Sequence, residues 1–68
     1  MYTVTTSGMN EHINSKNYSE SFENLESAIE AFNYQCSRLD YDNIEINEDG
    51  TRDAGGRGYD YRIELFVK

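Results

Sequence analysis

Residues 22–39, FENLESAIEAFNYQCSRL, decide the fold of this 68-residue chain. Apolar side chains recur in this stretch at intervals of three and four residues, which is the spacing of one face of an α-helix. The pattern therefore predicts an amphipathic helix that supplies half of the hydrophobic core. Its apolar face consists of Phe22, Leu25, Ile29, Phe32, Cys36 and Leu39.

The two ends of this stretch carry residues that suit helix termini. Asn24 is the preferred N-cap, because its side-chain oxygen can accept a hydrogen bond from a first-turn amide. Glu26 then lies in the first turn, where the helix dipole favours a carboxylate. If the helix begins one turn earlier, Ser21 and Glu23 take these two roles. Arg38 lies in the last turn, where the dipole favours a cation.

The outer face of the predicted helix is acidic. Its glutamates lie three and four residues apart, and no lysine follows four residues on to offset a repulsion of roughly 0.2–0.5 kcal/mol per pair. More acidic residues follow the helix, so this surface could imitate a phosphate backbone and bind a basic protein. The competing interpretation is a solvated face that keeps a small protein in solution. The helix contributes Glu23, Glu26 and Glu30 with Tyr34 one turn later, and the acidic residues that follow are Asp40, Asp42, Glu45, Glu48 and Asp49.

The region before the helix predicts one strand and leaves a second segment open. Residues 2–6, YTVTT, alternate and are rich in β-branched and aromatic side chains, so they predict a strand. Residues 9–21 form a polar connector. Within it, residues 18–22 alternate as a short extended segment would, whereas His12 and Ile13 could belong to a helical turn. His12 is the only histidine, and the sequence offers it no catalytic or metal partner.

Two further strands are predicted after the helix. Residues 43–48 alternate, with Ile44 and Ile46 on one side. A long mobile loop is expected from Asp49 to Gly58, since TRDAGGRG is too rich in glycine to pair as a strand. Residues 59–68 then give the clearest strand in the chain. Its core side is expected to hold Tyr59, Tyr61, Ile63, Leu65 and Val67.

These elements predict a single small α+β domain, residues 1–68, with the order β-α-β-β. The last strand is the longest and most apolar, which favours a central place in the sheet. We therefore expect a three-stranded antiparallel sheet in the order 1-3-2, with the helix packed on one face. The other face is expected to stay mostly polar, as an antiparallel sheet permits.

Composition narrows the class of protein. A chain this short lies near the lower limit for a single core without covalent staples, and its one cysteine allows no internal disulfide. Cys36 lies on the apolar helix face and is interpreted as a core residue. No apolar run is long enough to span a membrane, and the start of the chain is too polar for a signal peptide, so a cytoplasmic location is expected.

The formal net charge of −7 is unevenly distributed. Residues 1–51 hold ten acidic and two basic side chains, whereas residues 52–68 hold three acidic and four basic ones. Such a field repels nucleic-acid phosphates and attracts basic protein surfaces. Arg52 and Arg57 lie in the glycine-rich stretch, where they either contact a partner or belong to a merely flexible loop.

No cofactor or metal is expected, and no catalytic signature is found. Residues 47–53 place oxygen ligands at alternating positions, as calcium loops do. However, Arg52 occupies the position of the required glycine, and Gly58 occupies that of the final glutamate. The sequence therefore favours a protein that acts by binding rather than by catalysis.

Two phrases, SFENLESAIEAF at residues 21–32 and YDYRIELFVK at residues 59–68, supply the helix and the closing strand. A short acidic chain with this layout resembles the small proteins that phages encode to block host defences, including anti-CRISPR proteins. The resemblance implies a protein that binds an effector such as a Cas subunit and blocks its access to nucleic acid in a bacterial host cell. No functional residue is carried over, because no motif is shared.

We therefore expect a non-enzymatic inhibitor that binds a basic, nucleic-acid-handling protein. One alternative is a small module that self-associates, for example as a homodimer, through a sheet edge or through Phe66 on the polar sheet face. Direct binding of RNA or single-stranded DNA is the third alternative, and the net charge disfavours it. The expected partner-binding residues are Glu23, Glu26, Glu30, Tyr34, Asp40, Asp42, Arg52 and Arg57.

Overall fold

The computed structural model describes residues 1–9 and 18–68. Within these residues, five strands form one antiparallel sheet in the order β2-β1-β5-β4-β3, and one helix packs against it. No helix of this part of the chain is long and apolar enough to cross a membrane. The expectations for His12 and Ile13 fall outside the described residues. The elements are β1 (Tyr2–Gly8), β2 (Tyr18–Phe22), α1 (Leu25–Leu39), β3 (Glu45–Ile46), β4 (Arg52–Gly55) and β5 (Tyr61–Val67).

The predicted three-stranded sheet in the order 1-3-2 is therefore wrong. β5 does lie at the centre of the sheet, but its neighbours are β1 and β4. The alternation of residues 18–22 left a short extended segment as one possibility, and these residues form β2. β2 pairs with β1, with Phe22 opposite Tyr2 and Tyr18 opposite Thr6. This pairing makes a hairpin of the first two strands and adds a strand at one edge.

The expected mobile loop between Asp49 and Gly58 is also wrong. Residues 52–55 of this stretch form β4, in which Ala54 pairs with Ile63 of β5. The backbone N–H of Gly55 donates to Asn43 Oδ1 at 3.1 Å, and Asn43 Nδ2 donates to the Gly55 carbonyl at 3.3 Å. Glycine here ends a strand and starts a tight turn, so a high glycine content did not mean an absence of pairing.

Gly55 has no room for a side chain. Its φ is 74°, and a Cβ at this position would clash with the carbonyl oxygen of Tyr61 and crowd the ring of Tyr41. In the turn that follows, the Gly56 N–H donates to the Tyr61 carbonyl at 2.9 Å and the Tyr59 N–H donates to the Gly56 carbonyl at 2.9 Å. These bonds fix the connection between β4 and β5.

The helix begins three residues later than the apolar spacing alone indicated, because Phe22 ends β2. Asn24 is confirmed as the N-cap: its Oδ1 accepts a hydrogen bond from the Ser27 N–H at 2.8 Å. At the other end Asp40 takes a left-handed conformation with φ 60°. The Tyr41 N–H then donates to the Cys36 carbonyl at 2.9 Å, which satisfies one of the last helical carbonyls.

The hydrophobic core lies between α1 and the sheet face that it covers. Phe32 and Cys36 are buried there, as predicted from the helix periodicity. Val67 and Tyr59 were expected on the core side of the last strand, but they are 58% and 40% exposed. Val67 is the last residue of β5, and Tyr59 lies in the turn before β5 begins at Tyr61. The buried hydrophobic residues are Val4, Ala28, Phe32, Cys36, Ala54, Ile63 and Leu65.

The opposite face of the sheet is polar. Thr3 pairs with Phe66 of β5 and with Ser21 of β2, and its Oγ1 lies 3.0 Å from Ser21 Oγ. Arg62 lies on the same face, 3.7 Å from Asp53 and 3.6 Å from Glu64. The cation at the centre of this face is therefore engaged with carboxylates of the protein itself.

Candidate protein-binding site

The three glutamates of the predicted acidic surface are exposed. Glu23 lies in the short link before the helix, and Glu26 and Glu30 lie on the outer side of α1. Tyr34 follows one turn later and is 64% exposed. Within residues 1–9 and 18–68, none of these side chains forms an ion pair. The first half of α1 therefore presents carboxylates that no described cation neutralises.

The other predicted residues do not join these glutamates in one cluster. Asp40 and Asp42 are exposed beyond the C-terminal end of α1. Because a helix rises about 1.5 Å per residue, Asp40 lies roughly 21 Å from Glu26 along the helix axis. Arg38 lies in the last turn between the two groups. The acidic surface thus consists of two separate regions.

The two arginines of the glycine-rich stretch have different environments. Arg52 belongs to β4 and is only half-exposed, with its Nε donating to the Gly50 carbonyl at 3.0 Å. Its charge also acts on Cys36, where it opposes the effect of burial on the thiol. Arg57 is exposed in the turn between β4 and β5. Of these two arginines, Arg57 is the exposed one, and it forms no ion pair with another described residue.

A groove separates β2 from α1, and we call it the β2–α1 groove. Its volume is about 590 Å³, within the range of roughly 300–1,000 Å³ that is typical of ligand pockets. Glu30 and Tyr34, both predicted from the sequence, form part of its helical wall. The lining residues are Tyr18, Glu20, Phe22, Ser27, Glu30, Ala31, Tyr34 and Gln35.

Hydrogen bonding fixes the β2 wall of this groove. The Tyr18 hydroxyl donates to Glu20 Oε2 at 2.6 Å. Burial is the largest cause that raises the pKa of Tyr18, and together with the hydrogen bond and the negative charge of Glu20 it raises this pKa to about 12. The hydroxyl therefore stays protonated at neutral pH and holds the Glu20 carboxylate in place.

Gln35 lies at the bottom of the groove. The residue is only 6% exposed, and its Oε1 has no hydrogen-bond partner within residues 1–9 and 18–68. A buried acceptor without a partner costs free energy, because it has lost its hydrogen bonds to water. Sequence reasoning missed this residue together with Tyr18 and Glu20. The alternation of residues 18–22 was the available signal, but it became informative only once β2 was known to face α1.

The Cys36 thiol is not exposed to solvent. Cys36 is buried, and burial raises the pKa of its thiol, with the nearby Arg52 acting in the opposite direction. No group of three or more histidine, cysteine or acidic side chains in the described part of the chain could hold a metal ion. What the groove combines is carboxylates, aromatic rings and an unsatisfied amide oxygen.

No family model matches this chain, and no curated protein or solved structure matches it. A function is therefore inferred from the residues and their geometry.

Proposed function

We propose that this chain is a non-enzymatic inhibitor that binds the basic surface of a nucleic-acid-handling protein. Its carboxylates would occupy the arginine and lysine side chains that otherwise contact phosphates. The observation that carries the proposal is the exposed set Glu23, Glu26 and Glu30, which forms no ion pair with any described residue. A net charge of −7 would speed the encounter with a basic partner.

The distribution of the ion pairs supports this use of the helix. Arg62 is placed between Asp53 and Glu64 on the open sheet face, so that face carries its own counter-charge. The glutamates of α1 have no such arrangement among the described residues, although their mutual repulsion costs roughly 0.2–0.5 kcal/mol per pair. A basic partner would remove this cost by neutralising the glutamates. A helix with a purely structural role would gain nothing from keeping like charges next to each other.

The biological setting follows from the resemblance to small phage proteins that block host defences. The partner would be a defence effector, for example a Cas subunit, in the cytoplasm of a bacterial host cell. Carboxylates in place of phosphates would block nucleic-acid access by charge and by steric occupation.

The test is capture of host proteins on the immobilised chain, using nuclease-treated lysate and a purified candidate effector. The wild-type chain should retain the effector, and added double-stranded DNA should displace it. Retention should fall steeply as salt rises, because the contacts are mainly electrostatic. Glu26→Lys combined with Glu30→Lys should reduce retention at least tenfold, roughly the effect of losing two charge contacts.

The matched control is Glu45→Lys combined with Glu48→Lys, which makes the same change in net charge at exposed positions around β3. Its retention should stay within about twofold of wild type, since local contacts rather than total charge carry binding. An equal loss of retention in the two double variants would refute the helix surface as the binding site. Retention that DNA does not displace would refute inhibition by phosphate mimicry.

Self-association is the second candidate, favoured by the sheet topology. β2 lies at one edge of the sheet and is five residues long, whereas the opposite edge strand, β3, has only two residues. A five-residue edge can pair with a strand of a second molecule. Phe66 is half-buried on the open face and would contribute apolar contact there.

A further inference from the structure

We infer that the β2–α1 groove binds an arginine side chain of the basic partner. The inference rests on the proposed function and identifies the contact that would anchor the complex. It joins two separate observations: a groove with carboxylates on both walls, and a lining residue, Gln35, whose buried amide oxygen has no hydrogen-bond partner in the described part of the chain.

Charge selects the class of ligand. Glu20 lies on the β2 wall and Glu30 on the helical wall, and no described lysine or arginine lines the groove. Two carboxylates on opposite sides attract a cation and repel an anion. Glu20 is already held by the Tyr18 hydroxyl at 2.6 Å, so one of the two carboxylates is fixed before a ligand arrives.

The aromatic lining favours a flat cation. Tyr18 and Phe22 come from β2, and Tyr34 comes from α1. A guanidinium group stacks on aromatic rings and gains a cation–π attraction in doing so. Ala31 and Ser27 have small side chains, so the helical wall leaves space for the methylene groups of the incoming side chain.

Gln35 distinguishes arginine from lysine. Gln35 lines the groove, and its Oε1, which has no hydrogen-bond partner among the described residues, is the acceptor that we assign to the incoming guanidinium. A guanidinium carries five N–H donors in a planar fork, which allows it to bond a carboxylate and a second acceptor at once. A lysine ammonium is a compact, strongly hydrated charge and does not match such separated acceptors.

The test is a titration of the isotope-labelled full chain with N-acetyl-argininamide, followed by NMR. The neutral isostere N-acetyl-citrullinamide and the lysine analogue serve as comparison ligands. The arginine derivative should give saturable shifts concentrated on Ala31, Tyr34 and Gln35, including the Gln35 side-chain amide. The lysine derivative should bind several-fold more weakly, and the citrulline derivative should produce no saturable shifts.

Two variants test the groove itself. Gln35→Leu keeps the buried volume but removes the acceptor. It should weaken the binding of N-acetyl-argininamide about tenfold, the effect of losing one hydrogen bond to a charged group. Glu30→Gln replaces an exposed side chain, so it leaves the core intact, and it should weaken the binding of N-acetyl-argininamide by a similar factor. The matched control, Asp60→Asn, also neutralises one exposed carboxylate, but outside the groove lining, and should bind within about twofold of wild type.

The inference is overturned if the citrulline derivative binds as well as the arginine derivative, or if Asp60→Asn weakens binding as much as Glu30→Gln. It is also overturned if the shifts spread evenly over the acidic helix face. These outcomes are separate from the capture experiment. If capture of the effector depends on Glu26 and Glu30 but N-acetyl-argininamide does not bind, the groove is not an arginine site and the proposed function still stands. If N-acetyl-argininamide binds but capture of the effector does not depend on these glutamates, the proposed inhibitor function is refuted and the groove remains an arginine site.

Discussion

Tyr18 and Glu20 lie two residues apart on β2, so their side chains share the side of the sheet that faces α1. Neither residue is informative by itself in the sequence, where both belong to a polar connector. Their hydrogen bond at 2.6 Å and the burial of the phenol change the chemistry of both groups. At the scale of single residues, the structure thus adds a fixed carboxylate that composition alone does not reveal.

This pair predicts an alkaline dependence of stability. The pKa of Tyr18 is raised from 10.0 to about 12 in the folded chain, so the folded state binds this proton more tightly than the unfolded state. The resulting contribution to the free energy of unfolding is present in full below about pH 10 and is lost as the pH rises through about 12. Denaturant unfolding at a series of alkaline pH values measures this loss.

Tyr18→Phe should flatten that part of the pH profile and remove the last step of a spectrophotometric tyrosine titration. Glu20→Gln should move the Tyr18 step down only partway, because burial is the larger cause and remains. A last titration step that persists unchanged in Tyr18→Phe would show that another phenol is responsible.

At the scale of elements, the junction of β4 and β5 shows most clearly why glycine content is ambiguous. Periodicity predicted α1 and β5, because each has enough apolar positions to define a face from local sequence alone. β4 has only Ala54 as a buried apolar residue, and its partners lie in β3 and β5. Its pairing therefore depends on distant residues, and the local sequence suggested only a loop.

Gly55→Ala should destabilise the fold by roughly 2–4 kcal/mol, since a Cβ at φ 74° is strained and clashes with the Tyr61 carbonyl. Urea unfolding followed by circular dichroism measures the change. The matched control is Gly58→Ala in the same turn, where φ is 91° but nothing lies within 4 Å of the added carbon. It should cost only about 1–2 kcal/mol, the strain of the backbone conformation.

Equal costs for the two alanine variants would mean that the close approach at Gly55 does not exist in solution. That result would reopen the interpretation of residues 49–58 as an unpaired loop. The Asn43 side chain gives an independent check, since it bonds both backbone groups of Gly55 and its replacement should affect the same turn.

At the scale of the whole molecule, the sheet has one face covered by α1 and one polar face, and its two edges differ in length. The proposed binder acts through the outer side of α1 and the adjacent groove, neither of which needs a second copy. We therefore expect a mass of 7.9 kDa, that of one chain, at all accessible concentrations in sedimentation or light-scattering measurements.

A concentration-dependent dimer would favour the second candidate instead. Phe66→Ser should then dissociate a dimer that forms through the open face. Val67→Ser serves as its control, because Val67 is exposed on the other side of β5. A dimer that both variants leave intact would point to pairing along the edge of β2.

Local sequence by itself determined α1, its Asn24 cap, the first and last strands and the acidic outer face of the helix. These features depend on the spacing of neighbouring side chains, which is independent of the rest of the chain. Only the tertiary structure decided the five-stranded order, the pairing of β2 and β4, and the groove that brings Glu20 to the same cleft as Glu30. Those features depend on contacts between residues far apart in sequence, and short, polar strands carry too few apolar positions to predict such contacts.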